Sequence, residues 1–284
     1  MDKLLYGSVL SERLKDEMRQ KVDRYCQEGR RRPRLDTLVV GDDPASLSYI
    51  KGKQKACAFV GIENIVHHMP SSVTQAELEA EIVACNQQED CDGILLQMPL
   101  PAHLDANHAI LTIASEKDVD GLHPLNVGRL YAGEECFAPC TPVGIMAILD
   151  AMGCKIEGAR AVVIGRSRLV GNPVARLLQD RNATVTICHS KTVDLKAITK
   201  ECDIVVAACG KAKMIDHTYI KEGAYVVDVG INRTPDGHIC GDVDTEDVLP
   251  YVAKVTPVPK GVGPMTICSL LMNTLKSYER RSKA

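Results

Sequence analysis

The chain of 284 residues has no tryptophan and two phenylalanines, too few aromatics for a platform that stacks nucleic-acid bases. It has no uncharged apolar run near the ~18 residues of a membrane span, and its start, MDKLLYGSVLSERLKDEM, lacks the apolar segment of a secretory signal. Strong charge of either sign is also missing: the formal net charge is -3, which leaves no electrostatic footprint for nucleic acid. The one dense basic run, Arg30, Arg31, Arg32 and Arg34, is short and broken by Pro33, and reads as a solvated face. No CxxC pair occurs among the twelve cysteines, which are scattered from Cys26 to Cys268 with Cys136 and Cys140 nearest each other. These are expected to be reduced thiols in small apolar sites, with neither a zinc centre nor a disulfide framework. The expectation is a cytoplasmic protein with no nucleic-acid or membrane partner and no metal.

What is present is the composition of a globular protein, 45% hydrophobic and 25% charged, and its length suits two domains at roughly 100–200 residues each. Short β-rich runs alternate with helical ones. LDTLVVG, ENIVHHM and DGILLQMP read as strands, separated by amphipathic stretches such as TQAELEAEIVACNQQ. A second series follows: ARAVVIG, ATVTICHS, CDIVVAAC and AYVVDVG, with crossovers long enough for parallel pairing. The fold class is α/β, with a parallel sheet in each half and a Rossmann-like second domain. Between the series, DVDGLHPLNVGRLYAGEECFAPCTP is rich in Gly and Pro and reads as the interdomain region, followed by a connecting helix in TPVGIMAILDAMG. The stretch INRTPDGHICGDVD reads as a hairpin that breaks the parallel pattern.

In AVVIGRSRLVGNPVARLLQD an apolar strand ends at Gly165, a polar loop follows, and a helix is expected from about Asn172-Pro173. Strand, tight loop and helix N-terminus make a phosphate site, where backbone amides and the helix dipole favour an anion. The spacing is not GxGxxG, because Ser167 replaces the second Gly and Gly171 comes one place late, so a purely structural turn also fits. The next strand ends in CHSKT, without the carboxylate that would bind a ribose 2′-hydroxyl. Arg166 and Ser190, with Lys191 and Thr192 nearby, suit a 2′-phosphate and so NADP; Lys191 as a plain exposed loop lysine fits as well.

SYIKGKQKACAFVGI places Lys51, Lys53 and Lys55 at every second position of a helix. At about 3.6 residues per turn they fan around the cylinder, so they cannot share one role. His67, His68, His103, His108, His123 and His189 show no paired-ligand spacing and read as structural or surface residues.

Taken in order, VGDDPAS with Tyr49 and Lys53, GILLQMPLP, EKDVDG, PCTP, GRS before VGNP, CHSKT and TPVPKGVGPMT resemble the bifunctional methylenetetrahydrofolate dehydrogenase/cyclohydrolase family, called FolD in bacteria. The resemblance runs from about residue 35 to the end of the chain. It implies two α/β domains flanking a cleft. Residues 1–138, joined by a C-terminal helix 265–284, would form the folate-binding catalytic domain, and residues 139–264 the NADP-binding Rossmann-like domain. It also implies a homodimer.

Carried over residue by residue, the resemblance makes Lys53, Gln97 and Tyr49 the catalytic set. Tyr49 would stack on the folate and Gln97 would bond the catalytic lysine. Asp120 would bind the pterin in preference to Asp118, which reads equally as a turn cap. Gly261 and Pro264 would lie against the substrate, with Gly263 and Thr266 also in place, while Lys260 departs from the family's usual glycine. The cofactor set is Gly165, Arg166, Ser167 and Ser190, together with Thr141 and Ile231. The implied activity is oxidation of 5,10-methylenetetrahydrofolate with NADP, followed by hydrolysis of the methenyl compound to 10-formyltetrahydrofolate. The alternatives are a dehydrogenase that has lost the hydrolytic step and a nucleotide-binding protein without catalysis.

Overall fold

The computed structural model describes residues 3–234 and 236–282; Met1 and Asp2 of the expected first domain, Pro235 of the expected hairpin, and Lys283 and Ala284 of the expected last helix lie outside them. In chain order the elements are α1 (Gly7–Gln27), β1 (Arg34–Val40), α2 (Pro44–Val60), β2 (Glu63–Met69), α3 (Gln75–Gln87), β3 (Gly93–Leu96), α4 (Ala106–Thr112), α5 (Pro124–Ala132) and α6 (Cys140–Ala151). There follow β4 (Arg160–Ile164), α7 (Gly171–Asp180), β5 (Thr184–Cys188), α8 (Leu195–Thr199), β6 (Ile204–Ala207), β7 (Tyr225–Asp228), β8 (Asn232–Arg233), β9 (Ile239–Cys240), α9 (Thr245–Val248), β10 (Lys254–Val255) and α10 (Val262–Arg281).

The chain forms two compact units, one of Arg13–Cys140 with the residues from Ile267 onward, the other of Thr141–Thr266 with the described residues up to Glu12. The expected boundary after residue 138 ignored the chain's first residues. Their place in the second unit has a plain cause: Leu5 N–H donates to the Val255 carbonyl at 2.9 Å and Val255 N–H to that of Lys3 at 2.9 Å, beside β10.

In the first unit β1 lies between β2 and β3, all parallel. The side chains of Leu38, Val40, Leu78, Ile82, Ile94 and Leu96 form one core between this sheet and α3. The buried residues of α3, Leu78, Ile82 and Cys85, recur at helical spacing behind a capping box of Thr74 and Glu77. α2 starts on Asp43, which accepts from Ser46 N–H at 2.8 Å, has Pro44 in its first turn, and stops at Gly61, whose φ of 88° needs a residue without a Cβ. Its buried stripe is Ile50, Lys53, Ala56, Cys57 and Val60, so Lys53 is carried inward by apolar neighbours.

Two expectations need correction in this unit. The stretch 118–142 is not a featureless interdomain region: it contains α5, capped by His123 and Gly133, and belongs to the first unit as far as Cys140. The basic run is not simply solvated. Arg31 makes a two-pronged bond to the fully buried Asp92, 2.7 Å at each prong, and Arg34 pairs with the equally buried Asp36; buried carboxylates need such partners.

The second unit holds a five-stranded parallel sheet in the order β10-β7-β6-β4-β5. β6 and the apolar part of β4 are buried throughout, as strands covered on both faces require. Val162, Ile164, Val205, Ala207, Val226 and Val255 form the core. β8 and β9 pair antiparallel as a separate hairpin, and α7 begins at Gly171, within two residues of the expected start.

Candidate active site

Lys53 is 7% exposed and its Nζ donates to Gln97 Oε1 at 2.9 Å. Gln97 follows β3 directly, and its own Nε2 donates to the Met98 carbonyl at 2.6 Å, which turns Oε1 toward the lysine. One helical turn before Lys53, Tyr49 places its ring with the centroid 4.9 Å from Nζ and remains 41% exposed. Lys51 and Lys55 are exposed, as their angular positions dictate.

The two aspartates of the DVDG loop differ in what holds them. Asp118 is buried and accepts from Leu122 N–H at 3.2 Å, His123 N–H at 2.8 Å and Asn126 Nδ2 at 2.9 Å. It is committed to fixing the entry to α5. Asp120 is half-buried, with Lys53 as a nearby opposite charge and the Cys140 thiol within hydrogen-bonding reach. Burial lowers the Lys53 pKa against the pull of Asp120 and raises that of Asp120 against the pull of Lys53; desolvation prevails over their mutual attraction in both, and each is pushed toward its neutral form. Burial likewise raises the Tyr49 phenol, with Asp120 adding to it.

Tyr49, Lys53, Gln97 and Asp120 therefore form one cluster within the first unit. Cys140 and Asn273 join it without having been expected. Asn273 Nδ2 donates to the Val119 carbonyl at 2.8 Å and to that of Ala138 at 3.2 Å, tying the residue before Asp120 to the segment before Cys140. Only the apolar spacing of α10 hinted that Asn273 would lie inside.

The expected cofactor residues cluster in the second unit. Gly165, Arg166 and Ser167 follow β4, and Ser190 follows β5. The glycines answer first to the chain's own packing: a Cβ on Gly165, whose φ is 133°, would lie 2.1 Å from the Ala208 carbonyl oxygen, and one on Gly171 would lie 2.2 Å from that of Gly165. The helix amides are also partly engaged. Ser167 Oγ accepts from Val170 N–H at 3.1 Å and Gly171 N–H at 3.3 Å, and the Ser167 carbonyl accepts from Asn172 N–H at 3.0 Å. What this loop still offers an anion is the Ser167 O–H as donor, the exposed Arg166 guanidinium and the dipole of α7. At the end of β5, Ser190 and Lys191 are exposed, while His189 Nδ1 is occupied by Lys191 N–H at 3.1 Å. Donors and cations without a carboxylate fit the 2′-phosphate of NADP.

The remaining expected positions have structural neighbours. Ile231, after β7, is 73% exposed. Thr141 and Thr266 share a hydrogen bond of 3.0 Å between their hydroxyls. Gly261 and Pro264 lie in the second unit: a Cβ on Gly261 would meet the Pro257 carbonyl oxygen at 2.3 Å, and the Pro264 carbonyl accepts from Ser11 Oγ at 3.3 Å. Lys260 has φ of 78°, so a lysine occupies the left-handed conformation that a glycine adopts without cost.

Two buried residues escaped the sequence reading altogether. Asp228 ends β7 and Asp242 follows β9, and both accept hydrogen bonds from backbone amides. Burial pushes the Asp228 carboxyl up to about 6 in spite of the amides that hold it. The signal was the glycine beside each. Gly241 leaves room for Asp228, whose Oδ2 would lie 1.8 Å from a Cβ there, and Gly230 leaves room for Asp242, whose Oδ1 would lie 2.4 Å from one.

Comparison with known proteins identifies the family. Residues 5–120 match the family model for the tetrahydrofolate dehydrogenase/cyclohydrolase catalytic domain, and residues 139–282 that for the NAD(P)-binding domain of the same enzymes. The bifunctional protein FolD of Bacillus cytotoxicus is 47% identical over 277 residues, covering 98% of this chain and 96% of its own. The crystal structure of the bifunctional FolD from Campylobacter jejuni superposes with a TM-score of 0.95 at 46% identity, covering 98% of this chain and 99% of its own. The Trypanosoma brucei dehydrogenase-cyclohydrolase, solved with NADP cofactor and an inhibitor, does so with a TM-score of 0.92 at 37% identity, covering 99% and 98%. With catalytic and NAD(P)-binding domains both matched in order along the sequence, the chain belongs to the tetrahydrofolate dehydrogenase/cyclohydrolase family.

Proposed function

We infer that this enzyme oxidises 5,10-methylenetetrahydrofolate to the methenyl compound with NADP and hydrolyses the product to 10-formyltetrahydrofolate. The observation that carries the residue assignment is the buried Lys53 donating to Gln97 beside Asp120 and Tyr49. NADP, when bound, supplies the hydride acceptor. Because the nitrogen lone pairs of the folate stabilise the cation that forms, oxidation asks no protein base of this chain; it asks for positioning. Tyr49 offers a ring face to the folate and Asp120 a carboxylate to its paired N–H donors.

Hydrolysis does need proton transfer. A water forms a C–O bond at the methenyl carbon and loses a proton to the Lys53 amine. As the carbonyl forms and the C–N5 bond breaks, the Lys53 ammonium returns a proton to N5, and the second water proton leaves to solvent. The lowered pKa of Lys53 favours the amine that the first step requires, and Gln97 holds it in place.

Arg166 and Ser190 hold the 2′-phosphate on this reading, with Ser167, Thr141 and Ile231 as further cofactor contacts and Gly261 and Pro264 beside the substrate. The enzyme is read as cytoplasmic; no helix among the described residues is long and apolar enough to cross a membrane. It is read as a homodimer, supported by β2, the sheet edge on which no residue is fully buried; open edges call for cover. Sedimentation measures the assembly directly. For the chemistry, the decisive experiment follows NADPH absorbance with the methylene substrate and, separately, loss of methenyl absorbance without NADP. Absence of the first reaction would refute the dehydrogenase reading, and absence of the second would leave a dehydrogenase alone.

A further inference from the structure

At the carboxyl edge of the five-stranded sheet, two fully buried carboxylates hold the loops by accepting hydrogen bonds from amide N–H groups, and neither enters an ion pair among the described residues. Asp242 Oδ2 accepts from Cys209 N–H at 2.7 Å and Gly210 N–H at 2.9 Å; its Oδ1 accepts from Lys211 N–H at 2.8 Å and Asn232 Nδ2 at 2.9 Å. Asp228 Oδ1 accepts from Gly230 N–H at 3.0 Å and Asp242 N–H at 2.9 Å, and its Oδ2 from Val243 N–H at 2.9 Å. One aspartate thus ties down the loop after β6, the other the turn after β7, and the second bonds the backbone of the first.

The sheet order says what those loops face. The chain runs from β4 to β5 on one side and returns to β6 on the other, so the border of β4 and β6 is the switch point where open α/β sheets bind ligands. Gly165 and Ala208 meet there, too close for a side chain on the glycine. Arg166 and Ser190 mark the adenosine side, at the ends of β4 and β5. A dinucleotide laid along this edge carries its other half over the loops that follow β6 and β7. Ile231, the exposed apolar residue of the β7 loop, sits between Gly230 and Asn232, each bonded to one of the two aspartates.

We propose that Asp242 and Asp228 are positioning residues of the cofactor site, fixing loops 208–211 and 229–232 in the shape that receives the nicotinamide half of NADP. The proposal rests on the NADP reading above, which NADP titration of the unaltered enzyme tests by itself. Asp242→Asn keeps the volume but turns an amide donor toward amide donors.

Calorimetric titration with NADP and with adenosine 2′,5′-bisphosphate, which lacks the nicotinamide half, separates positioning from general support of the fold. The expected result is at least a fivefold loss of NADP affinity and a tenfold loss of dehydrogenase kcat/KM. Affinity for the bisphosphate and the cofactor-independent hydrolysis of the methenyl compound stay within twofold. Unchanged NADP affinity and dehydrogenase rate would overturn the proposal, and so would equal losses for both ligands. Should Asp242→Asn prove insoluble, Asp228→Asn is put to the same measurements with the same two overturning results.

Discussion

Lys53 Nζ sits 2.9 Å from Gln97 Oε1, and Gln97 is itself held by the Met98 carbonyl. The lysine therefore keeps one orientation in an apolar stripe of α2, with no salt bridge among the described residues to lock it. Replacing it with methionine preserves the stem that packs there and removes the proton carrier. Lys53→Met should lower hydrolysis of the methenyl compound by at least about 10²-fold, the range of general acid-base catalysis, while calorimetry finds NADP affinity unchanged. Hydrolysis near the unaltered rate would remove Lys53 from the mechanism.

The pH profile tests the same group by sign. Only the unprotonated amine accepts a proton, so the hydrolytic kcat rises with pH and levels off above the Lys53 pKa. Burial lowers that pKa and Asp120 pulls it back up. In Asp120→Asn the upward pull is gone, so the rise should come at lower pH than in the unaltered enzyme. A rise at the same or higher pH would show that Lys53 is not the titrating base.

Asp118 and Asp120 should part in opposite ways. Asp118→Ala removes the acceptor of Leu122 N–H and His123 N–H and leaves Asn126 Nδ2 with the Ser115 carbonyl alone; a buried donor left unpaired costs about 1–3 kcal/mol, so urea unfolding should show a marked fall in stability. Asp120→Ala should raise the folate KM yet leave stability at neutral pH unchanged or higher. Its folded pKa is raised, so the charged form is the costly one above that pKa. Loss of stability in both variants with no change in KM would reverse the assignment.

On the proposed reading, cofactor choice rests on Arg166. A charge-assisted contact contributes about 1.5–3 kcal/mol, roughly ten- to hundredfold in affinity. Arg166→Ala should weaken NADP by that factor and spare NAD. An NADP KM that does not move would shift the role to Lys191, which is exposed at the end of β5.

Much of this was readable beforehand where one local rule acts alone. β2 is ENIVHHM, end to end, because a short run around the β-branched Ile65 and Val66 is bounded by Gly61 before it and Pro70 after it. Helical angle showed that Lys51, Lys53 and Lys55 cannot share one role, and the family resemblance singled out Lys53. Asp118 and Asp120 could not be separated by residue type, since what distinguishes them is Asn126 and His123 arriving from α5. Arg31 and Arg34 were misread because their partners Asp92 and Asp36 are buried by a sheet that a charge run does not reveal. Asp228 and Asp242 stayed hidden for the same reason: buried carboxylates held by backbone amides leave no pattern of side chains in sequence.

The pairing of Leu4 and Leu5 alongside Val255 bears on how the protein is made. The outer border of the dinucleotide sheet is completed by residues that lie far ahead in sequence of the strand they join, so this pairing has very long sequence separation and belongs among the slow, late contacts. Excising 139–264 as an isolated cofactor domain would leave β10 an uncovered edge, a template for self-association. A fragment for ligand work should instead carry the opening residues fused ahead of it.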